Sequence, residues 1–326
     1  MIKAAMFDSK PYDVESFNRN NKDIAIKYFE TKLSEDTVEL ARGFDCVIAF
    51  VNDIIDKAVI EKLCEYKVRL VALRCAGFNN VDLKAADGKI NVVRVPAYSP
   101  HAVAEHAMGM LLTLIRRTHK AYIRSKDFNF SLNGLTGFNL NGKTVGVIGT
   151  GKIGRVFCEI CNGFGIKVLA YDLYPDSSVK AEYVSLNEIF EKSDIISLHC
   201  PLTNDNYHII ENSTIDRMKN GVIIVNTSRG SLIDAEDLLD GIKDRKIGGA
   251  CLDVYEEESD LFFEDNSGHI VQDDILARLI SMPNVLITSH QAFLTEEALE
   301  NIAQTTVSNI SVFFRNGRLD NEVRYK

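Results

Sequence analysis

The chain has 326 residues, 46% of them hydrophobic and 25% charged, which is enough for about two globular domains. Its net charge of −9 disfavours nucleic acid as the main partner, because binding to phosphates depends on Lys and Arg. No apolar run approaches the roughly 20 residues that cross a bilayer, and residues 1–10 lack a signal-peptide pattern, so neither a membrane partner nor secretion is expected.

The cysteines indicate a reducing compartment. There are seven, an odd number at irregular spacing, which favours free thiols in the cytoplasm over a disulfide framework. Cys158 and Cys161 form one CxxC pair, but no second pair completes a zinc site. We therefore expect these two side chains in the core and expect no metal.

The first hundred residues alternate apolar runs with amphipathic stretches. The apolar runs predict strands at 2–7, 24–30, 46–51, 68–74 and 91–96. Helices are predicted at 34–43, with Ser34 as N-cap and Gly43 as the stop, and at 56–67. Such alternation favours a parallel sheet covered by helices.

A connector helix is predicted next. Pro96 and Pro100 mark a break, Ser99 is a candidate N-cap, and Pro100 suits the first helical position. Apolar residues then recur at helical spacing through 103–115. We expect one long helix that joins two domains.

A second α/β series begins near Lys143. Its predicted strands are 144–149, 167–172, 195–200, 221–228, 248–254 and 284–289. A long final helix is predicted from the N-cap Thr295 to a stop at Gly317. If that helix returns to the first domain, residues 1–100 and 298–326 form a discontinuous substrate domain. Residues 101–297 then form the cofactor domain, and the cleft between the domains is the expected active site.

A dinucleotide loop opens the second series. Gly149, Gly151 and Gly154 have the GxGxxG spacing, between an apolar strand and a helical pattern. In this motif the glycines allow a tight turn, close approach to the pyrophosphate, and packing of helix on strand. The phosphates would lie on free N–H groups at the helix N-terminus.

The choice of cofactor follows from the end of the next strand. Asp172 lies 18 residues beyond Gly154, near the spacing expected for the carboxylate that binds the adenosine ribose. A carboxylate repels a 2′-phosphate, and neither Leu173 nor Tyr174 offers a cation to offset it. The sequence therefore predicts NAD rather than NADP.

One histidine is the best candidate for acid–base chemistry. Capping or packing explains the three on the connector helix: His101, His106 and His119. His208 and His269 lie outside strand ends. His199 ends a strand at a place where ligands of α/β folds bind, with lining the cofactor as its alternative role. His290 follows the last strand, where ligands of α/β folds bind, and is our candidate proton donor.

Two further charged groups follow other predicted strands. A carboxylate could hold the His290 ring, and Glu256, Glu257 and Glu258 are all available after one strand. Arg229 follows another strand and could bind a substrate carboxylate and polarise the adjacent carbonyl. Arginine, glutamate and histidine at strand ends predict the reduction of an oxoacid.

Several motifs together resemble the D-isomer-specific 2-hydroxyacid dehydrogenase family over nearly the whole chain. They are GTGKIG, HCPLT, VNTSRGSLID, LDVYEEE and SHQAFLTEEAL. Within the family, VPAYSPHAVAEH and the acidic loop 256–274 are most similar to the fermentative D-lactate dehydrogenases.

The resemblance implies three catalytic roles. Arg229 would bind and polarise the 2-oxoacid, and His290 would donate the proton. Glu258 would hold His290, because the family acid sits five residues after an aspartate, here Asp253.

The resemblance also implies binding residues. Those implied at the cofactor are Gly149, Gly151, Lys152, Ile153, Gly154, Asp172, Cys200, Pro201, Asn206, Thr227, Ser228, Arg229 and Asp253. Those implied at the substrate are Cys75, Ala76 and Gly77, through backbone N–H groups, with Arg229 and His290. Tyr98 and Phe293 would wall a small side-chain pocket.

The resemblance finally implies a fold and an activity. The fold would be two Rossmann-like or flavodoxin-like domains around a cleft, in a cytoplasmic homo-oligomer, either a dimer or a tetramer. The activity would be the reversible NADH-dependent reduction of pyruvate to D-lactate. Two alternatives stay open: a larger 2-oxoacid such as 2-oxoisocaproate, or hydroxypyruvate, as substrate, and a non-catalytic NAD-sensing scaffold.

Overall fold

The computed structural model describes residues 1–258 and 261–325. Ser259 and Asp260, part of the acidic loop, and Lys326 lie outside the described residues. The chain forms two compact units, which we call the first unit and the inserted unit. The first unit is Met1–Ser99 with the chain from Phe293, and the inserted unit is Pro100–Ala292.

The first unit is a parallel sheet with helices. Its strands are β1 (Ile2–Met6), β2 (Ile24–Tyr28), β3 (Cys46–Ala49), β4 (Leu70–Leu73) and β5 (Asn91–Val93). Its helices are α1 (Pro11–Asn20), α2 (Lys57–Glu65), α3 (Leu83–Ala86) and, from the end of the chain, α11 (Glu296–Asn316). The strand order is β2-β1-β3-β4-β5, the flavodoxin-like order, with all pairs parallel.

The core of the first unit lies around its central strands. Every residue of β3 and β4 is buried, as expected for parallel strands covered on both faces. α11 packs against α1, so the final helix belongs to the first unit. The side chain of Thr295 caps α11, and Gly317 ends it at φ 74°, which confirms both predicted boundaries.

The inserted unit has a larger sheet. Its strands are β6 (Thr144–Ile148), β7 (Lys167–Tyr171), β8 (Glu182–Tyr183), β9 (Ile195–Leu198), β10 (Val222–Asn226), β11 (Ile247–Leu252) and β12 (Val285–Ile287). Its helices are α4 (Pro100–Arg116), α5 (Thr118–Lys126), α6 (Lys152–Gly163), α7 (Leu186–Lys192), α8 (Asn212–Ile215), α9 (Ala235–Lys243) and α10 (Asp274–Ser281).

The sheet of the inserted unit has the Rossmann arrangement. The strand order is β12-β11-β10-β9-β6-β7-β8, and every pair is parallel. α4 and α6 pack together over a core that includes Cys158 and Cys161, whose thiols are fully buried as predicted. The prediction of two parallel-sheet α/β units is confirmed.

Some local predictions were wrong. Residues 34–43 form only a short 3-10 helix, Val38–Ala41. Thr37 Oγ1 accepts from the Ser34 N–H and donates to the Lys32 carbonyl, and such local bonds compete with a helix. The connector begins at Pro100 as predicted, but Arg117 at φ 53° separates α4 from α5. No helix in the described chain is long and apolar enough to cross a membrane.

Candidate active site

The predicted residues of the inserted unit meet at one edge of its sheet. Since all strands are parallel, the segments that follow them lie at the same edge. Arg229, Asp253 with Glu258, and His290 follow β10, β11 and β12, which are neighbours in the sheet. The glycine loop follows β6, and Asp172 follows β7. The fold thus places the candidate chemistry and the candidate cofactor residues along a single edge.

The glycine loop lies where the strand order reverses, between β6 and β9. Gly149 has φ +93°, and a Cβ there would lie 2.7 Å from backbone atoms of His199 and Cys200. A Cβ at Gly154 would lie 1.9 Å from the Gly149 carbonyl oxygen, so helix and strand touch. At Gly151, the N-cap of α6, nothing lies within 4 Å of a Cβ. That open space at a helix N-terminus fits the pyrophosphate of a dinucleotide.

Asp172 is fixed beside this loop. Its Oδ2 accepts from the Thr150 N–H at 2.6 Å and from the Thr150 hydroxyl at 3.1 Å, and its Oδ1 accepts from the Tyr174 N–H at 2.8 Å. Burial opposes ionisation, but these bonds outweigh it and lower the pKa of Asp172. A charged carboxylate therefore lies at the end of β7, as a ribose-binding residue requires.

Residues after β9 and β10 complete this edge. Asn206 Nδ2 donates to the Pro201 carbonyl at 2.7 Å and approaches Cys200 Sγ at 3.8 Å, which closes their loop. Ser228 Oγ donates to the Leu198 carbonyl at 2.8 Å, while the buried Thr227 Oγ1 has no partner within the described chain. Lys152 and Ile153 are the first residues of α6. Each predicted cofactor residue thus lies at the expected edge.

His199 is structural. Its Nε2 lies 2.8 Å from Ser197 Oγ, and its ring packs on Phe157 with 4.8 Å between centroids. Burial lowers the pKa of His199 to about 3, so the ring is neutral at physiological pH. A permanently neutral buried imidazole is a poor proton donor.

His290 pairs with one of the three candidate glutamates. Its Nδ1 lies 2.8 Å from Glu258 Oε1, and both side chains are about one-fifth exposed. Glu258 Oε2 accepts from the Tyr255 N–H at 3.0 Å, which fixes the carboxylate. Because Glu258 occupies Nδ1, Nε2 is the nitrogen left to face a substrate.

Glu256 contacts a different histidine. His208 lies between two carboxylates, with Nε2 2.6 Å from Glu256 and Nδ1 3.2 Å from Asp234. Its ring stacks on Tyr207 at 3.9 Å. Sequence reasoning set His208 aside, and its two acidic partners, Asp234 and Glu256, lie too far from it in the chain for spacing to reveal the network.

Arg229 follows β10 and is held by hydrogen bonds to nearby residues. Its Nη1 donates to the Ser228 carbonyl at 2.6 Å, and its own carbonyl accepts from Asn226 Nδ2 at 2.8 Å. Across residues 1–258 and 261–325, no acidic side chain forms an ion pair with it. A half-buried guanidinium without an acid can bind an anionic ligand.

In the first unit, the predicted carboxylate-binding loop follows β4. Arg94 Nη1 donates to the Ala76 carbonyl at 2.8 Å, and the Val95 N–H donates to the Cys75 carbonyl at 3.1 Å. These hydrogen bonds fix the loop through the backbone carbonyl oxygens of Cys75 and Ala76. In the described part of the chain, the N–H groups of Ala76 and Gly77 donate no hydrogen bond, so two donors remain for an anion.

An aromatic cluster in the first unit includes one residue that sequence reasoning missed. Phe293 lies 6.3 Å from Tyr98 and 5.8 Å from Phe50, between ring centroids. Phe50 follows β3 and packs under the guanidinium of buried Arg74 at 4.0 Å. Phe50 could have been found from the sequence, because it is an aromatic residue at the carboxyl end of a strand. The three rings form one apolar wall.

Comparison with known proteins identifies the class. The sequence profile of the family described as D-isomer specific 2-hydroxyacid dehydrogenase, NAD binding domain, matches residues 108–292. The chain belongs to this family, is an oxidoreductase, and binds NAD.

Particular relatives resemble the chain over its full length. D-lactate dehydrogenase of Escherichia coli is 50% identical over 99% of this chain and 100% of its own. The structure of the pyruvate reductase of Chlamydomonas reinhardtii is 42% identical, with a TM-score of 0.93 over 98% of both chains. The NAD-complexed D-isomer specific 2-hydroxyacid dehydrogenase of Lactobacillus delbrueckii is 30% identical, with a TM-score of 0.83 over 99% of this chain and 100% of its own.

Proposed function

We propose that this protein catalyses the reversible reduction of pyruvate to D-lactate with NADH, the activity of a D-lactate dehydrogenase. The observation that carries the proposal is the contact of His290 Nδ1 with Glu258 at 2.8 Å, two strands from Arg229 and on the sheet edge that holds the dinucleotide loop. The relatives named for this activity support the same substrate.

Each side chain has a role in this reaction. When bound, NADH would supply the hydride for the carbonyl carbon. His290 donates the Nε2 proton to the carbonyl oxygen, and Glu258 stabilises the protonated ring and fixes its tautomer. Arg229 stabilises the negative charge that develops on that oxygen and binds the substrate carboxylate.

Residues of the first unit also have substrate-binding roles in this proposal. The N–H groups of Ala76 and Gly77 bind the carboxylate, while Phe50, Tyr98 and Phe293 limit the size of the side chain. A wall of three large rings favours the methyl group of pyruvate over the isobutyl group of 2-oxoisocaproate. Hydroxypyruvate is close to pyruvate in size, so these two substrates are distinguished by measuring kcat/KM for each.

The test follows the loss of NADH absorbance with pyruvate, 2-oxoisocaproate and hydroxypyruvate, and then the reaction of the product with D- and L-specific lactate oxidation. We expect the highest kcat/KM with pyruvate, and D-lactate as the product. A higher kcat/KM with a larger oxoacid would contradict the proposal that pyruvate is the substrate. If the protein bound NADH but turned over no oxoacid, a non-catalytic NAD-sensing scaffold would be the remaining interpretation.

Asp172 allows a test of cofactor choice. Replacing it with Ala removes the carboxylate that binds the ribose hydroxyls and repels a 2′-phosphate. We expect the ratio of kcat/KM for NADPH to that for NADH to rise about tenfold or more, mainly through KM. Asp176→Ala is the matched control on the same loop and should leave the ratio unchanged. An unaltered ratio in Asp172→Ala would contradict the assignment.

We propose that the protein is a homo-oligomer assembled through an apolar arm on the inserted unit. The arm runs from α5 to residue 138, and five of its large apolar side chains are 59–84% exposed: Tyr122, Ile123, Phe128, Phe130 and Leu132. Large apolar side chains exposed together in one segment are typical of an interaction surface. A second copy of the chain, using the same surface, would cover it.

Light scattering tests the arm. The wild type should have a mass of at least twice 36.5 kDa, while Phe128→Glu with Phe130→Glu should shift towards one chain. Ile270→Glu, at an exposed apolar residue outside the arm, is the control. A monomeric wild type would exclude the assembly. We also propose a cytoplasmic location, which the seven free thiols support because disulfides are rare in a reducing compartment.

A further inference from the structure

The segment that carries His290 is held by one buried carboxylate. Asp253 is fully buried at the end of β11. Its Oδ1 accepts from the Gln291 N–H and its Oδ2 from the Ala292 N–H, each at 2.9 Å, while its carbonyl accepts from the His290 N–H at 2.7 Å. His290 itself has φ +53°, a left-handed conformation that is uncommon outside glycine. Three successive N–H groups bonded to Asp253 stabilise that conformation.

A second histidine reaches this carboxylate from another element. His106 lies on α4, and its Nε2 is 3.3 Å from Asp253 Oδ1 and 3.1 Å from Thr288 Oγ1. The Thr288 hydroxyl lies 2.6 Å from the same Oδ1. The hydroxyl has a single proton, and the carboxylate is the stronger acceptor for it. The oxygen of Thr288 therefore presents lone pairs to His106, so Nε2 carries a proton and donates.

These donors keep the carboxylate charged. Burial alone would raise the pKa of Asp253, but hydrogen bonds from His106, Thr288 and the Ala292 N–H outweigh it, and the pKa is lowered. An ionised carboxylate accepts stronger hydrogen bonds than a neutral one. The charge on Asp253 is therefore coupled to the geometry of the His290 segment.

We propose that His106 is a positioning residue for His290: through Asp253 and Thr288 it holds the backbone of residues 290–292 and so orients the proton donor. This rests on the proposed function of His290. The sequence analysis explained His106 by capping or packing. A Leu of similar size would fill a packing role equally well. The donor nitrogen distinguishes the two roles.

The test compares His106→Leu, which removes the donor, with His106→Gln, which keeps an N–H donor at similar reach. In His106→Leu we expect kcat with pyruvate to fall about 10- to 100-fold, as for the loss of a charge-assisted hydrogen bond, while KM and the NADH Kd change less than about twofold. His106→Gln should recover most of kcat. His101→Gln, at an exposed histidine on the same helix, is the control.

A second readout does not use activity. Amide hydrogen exchange at 290–292 should accelerate in His106→Leu and in Thr288→Val, but not in His106→Gln. Thr288→Val also serves if His106→Leu fails to fold. Equal impairment of the Leu and Gln variants, or unchanged kcat and exchange in His106→Leu, would overturn the proposal. A wild-type protein inactive on every oxoacid would instead overturn the proposed function. Amide hydrogen exchange at 290–292 would then still test whether His106 holds this segment.

Discussion

His290→Gln is expected to lower kcat for pyruvate reduction by about 10²- to 10⁴-fold, the usual contribution of a positioned general acid. Gln retains a polar side chain but cannot transfer a proton to the carbonyl oxygen. NADH affinity should stay within about twofold, because the glycine loop and Asp172 follow other strands. Stopped-flow turnover with NADH fluorescence titration measures both quantities.

The control for His290 is His269→Gln, which changes an exposed histidine of the same unit. It should behave as the wild type. If His290→Gln retained more than a tenth of wild-type kcat, with an unchanged product, another group would have to supply the proton. The Glu258 contact would then be structural, like the contacts of His208.

Arg229→Gln should lower kcat/KM for pyruvate by about 10²- to 10³-fold or more, because it removes a charge arranged to face the developing oxyanion. Arg229→Lys should recover only part of the loss, since an ammonium cannot bind a carboxylate through two parallel N–H groups. Both variants should bind NADH. Steady-state kinetics over a pyruvate series separates kcat from KM.

The matched control for Arg229 is Arg278→Gln, at an exposed position on α10. Wild-type kcat/KM in Arg229→Gln would remove this residue from the reaction. A loss confined to KM, with full kcat, would leave it a role in substrate binding but not in stabilising the transition state.

The sequence predicted features that depend on neighbouring residues. The predicted strands, the glycine loop at Gly149 and the caps at Thr295 and Gly317 each depend on local chemistry, whereas the two-residue strand β8 was not predicted. Residues at strand ends could also be grouped, because parallel strands bring their carboxyl ends to one edge. That geometry is why candidates such as Arg229 and His290 could be selected without a structure.

Features held by distant contacts could not be predicted. α1 has few apolar residues and was missed; it is fixed by packing on α11 and by buried Asp13, 3.2 Å from Arg74. The link from His106 to Asp253 joins residues that no local pattern relates. Conversely, the helix predicted at 34–43 failed because Thr37 bonds its own neighbours.

The insertion of one unit within the other has a consequence for synthesis on the ribosome. The inserted unit is continuous in the chain, so all its strands have been synthesised before α11 is made. Synthesis of the first unit begins earlier, but the unit is completed later. Its helix α1 packs against α11, which is synthesised near the other end of the chain. The order of completion is therefore the reverse of the order of initiation, and nascent α1 keeps an uncovered face throughout elongation, a surface for chaperones to protect.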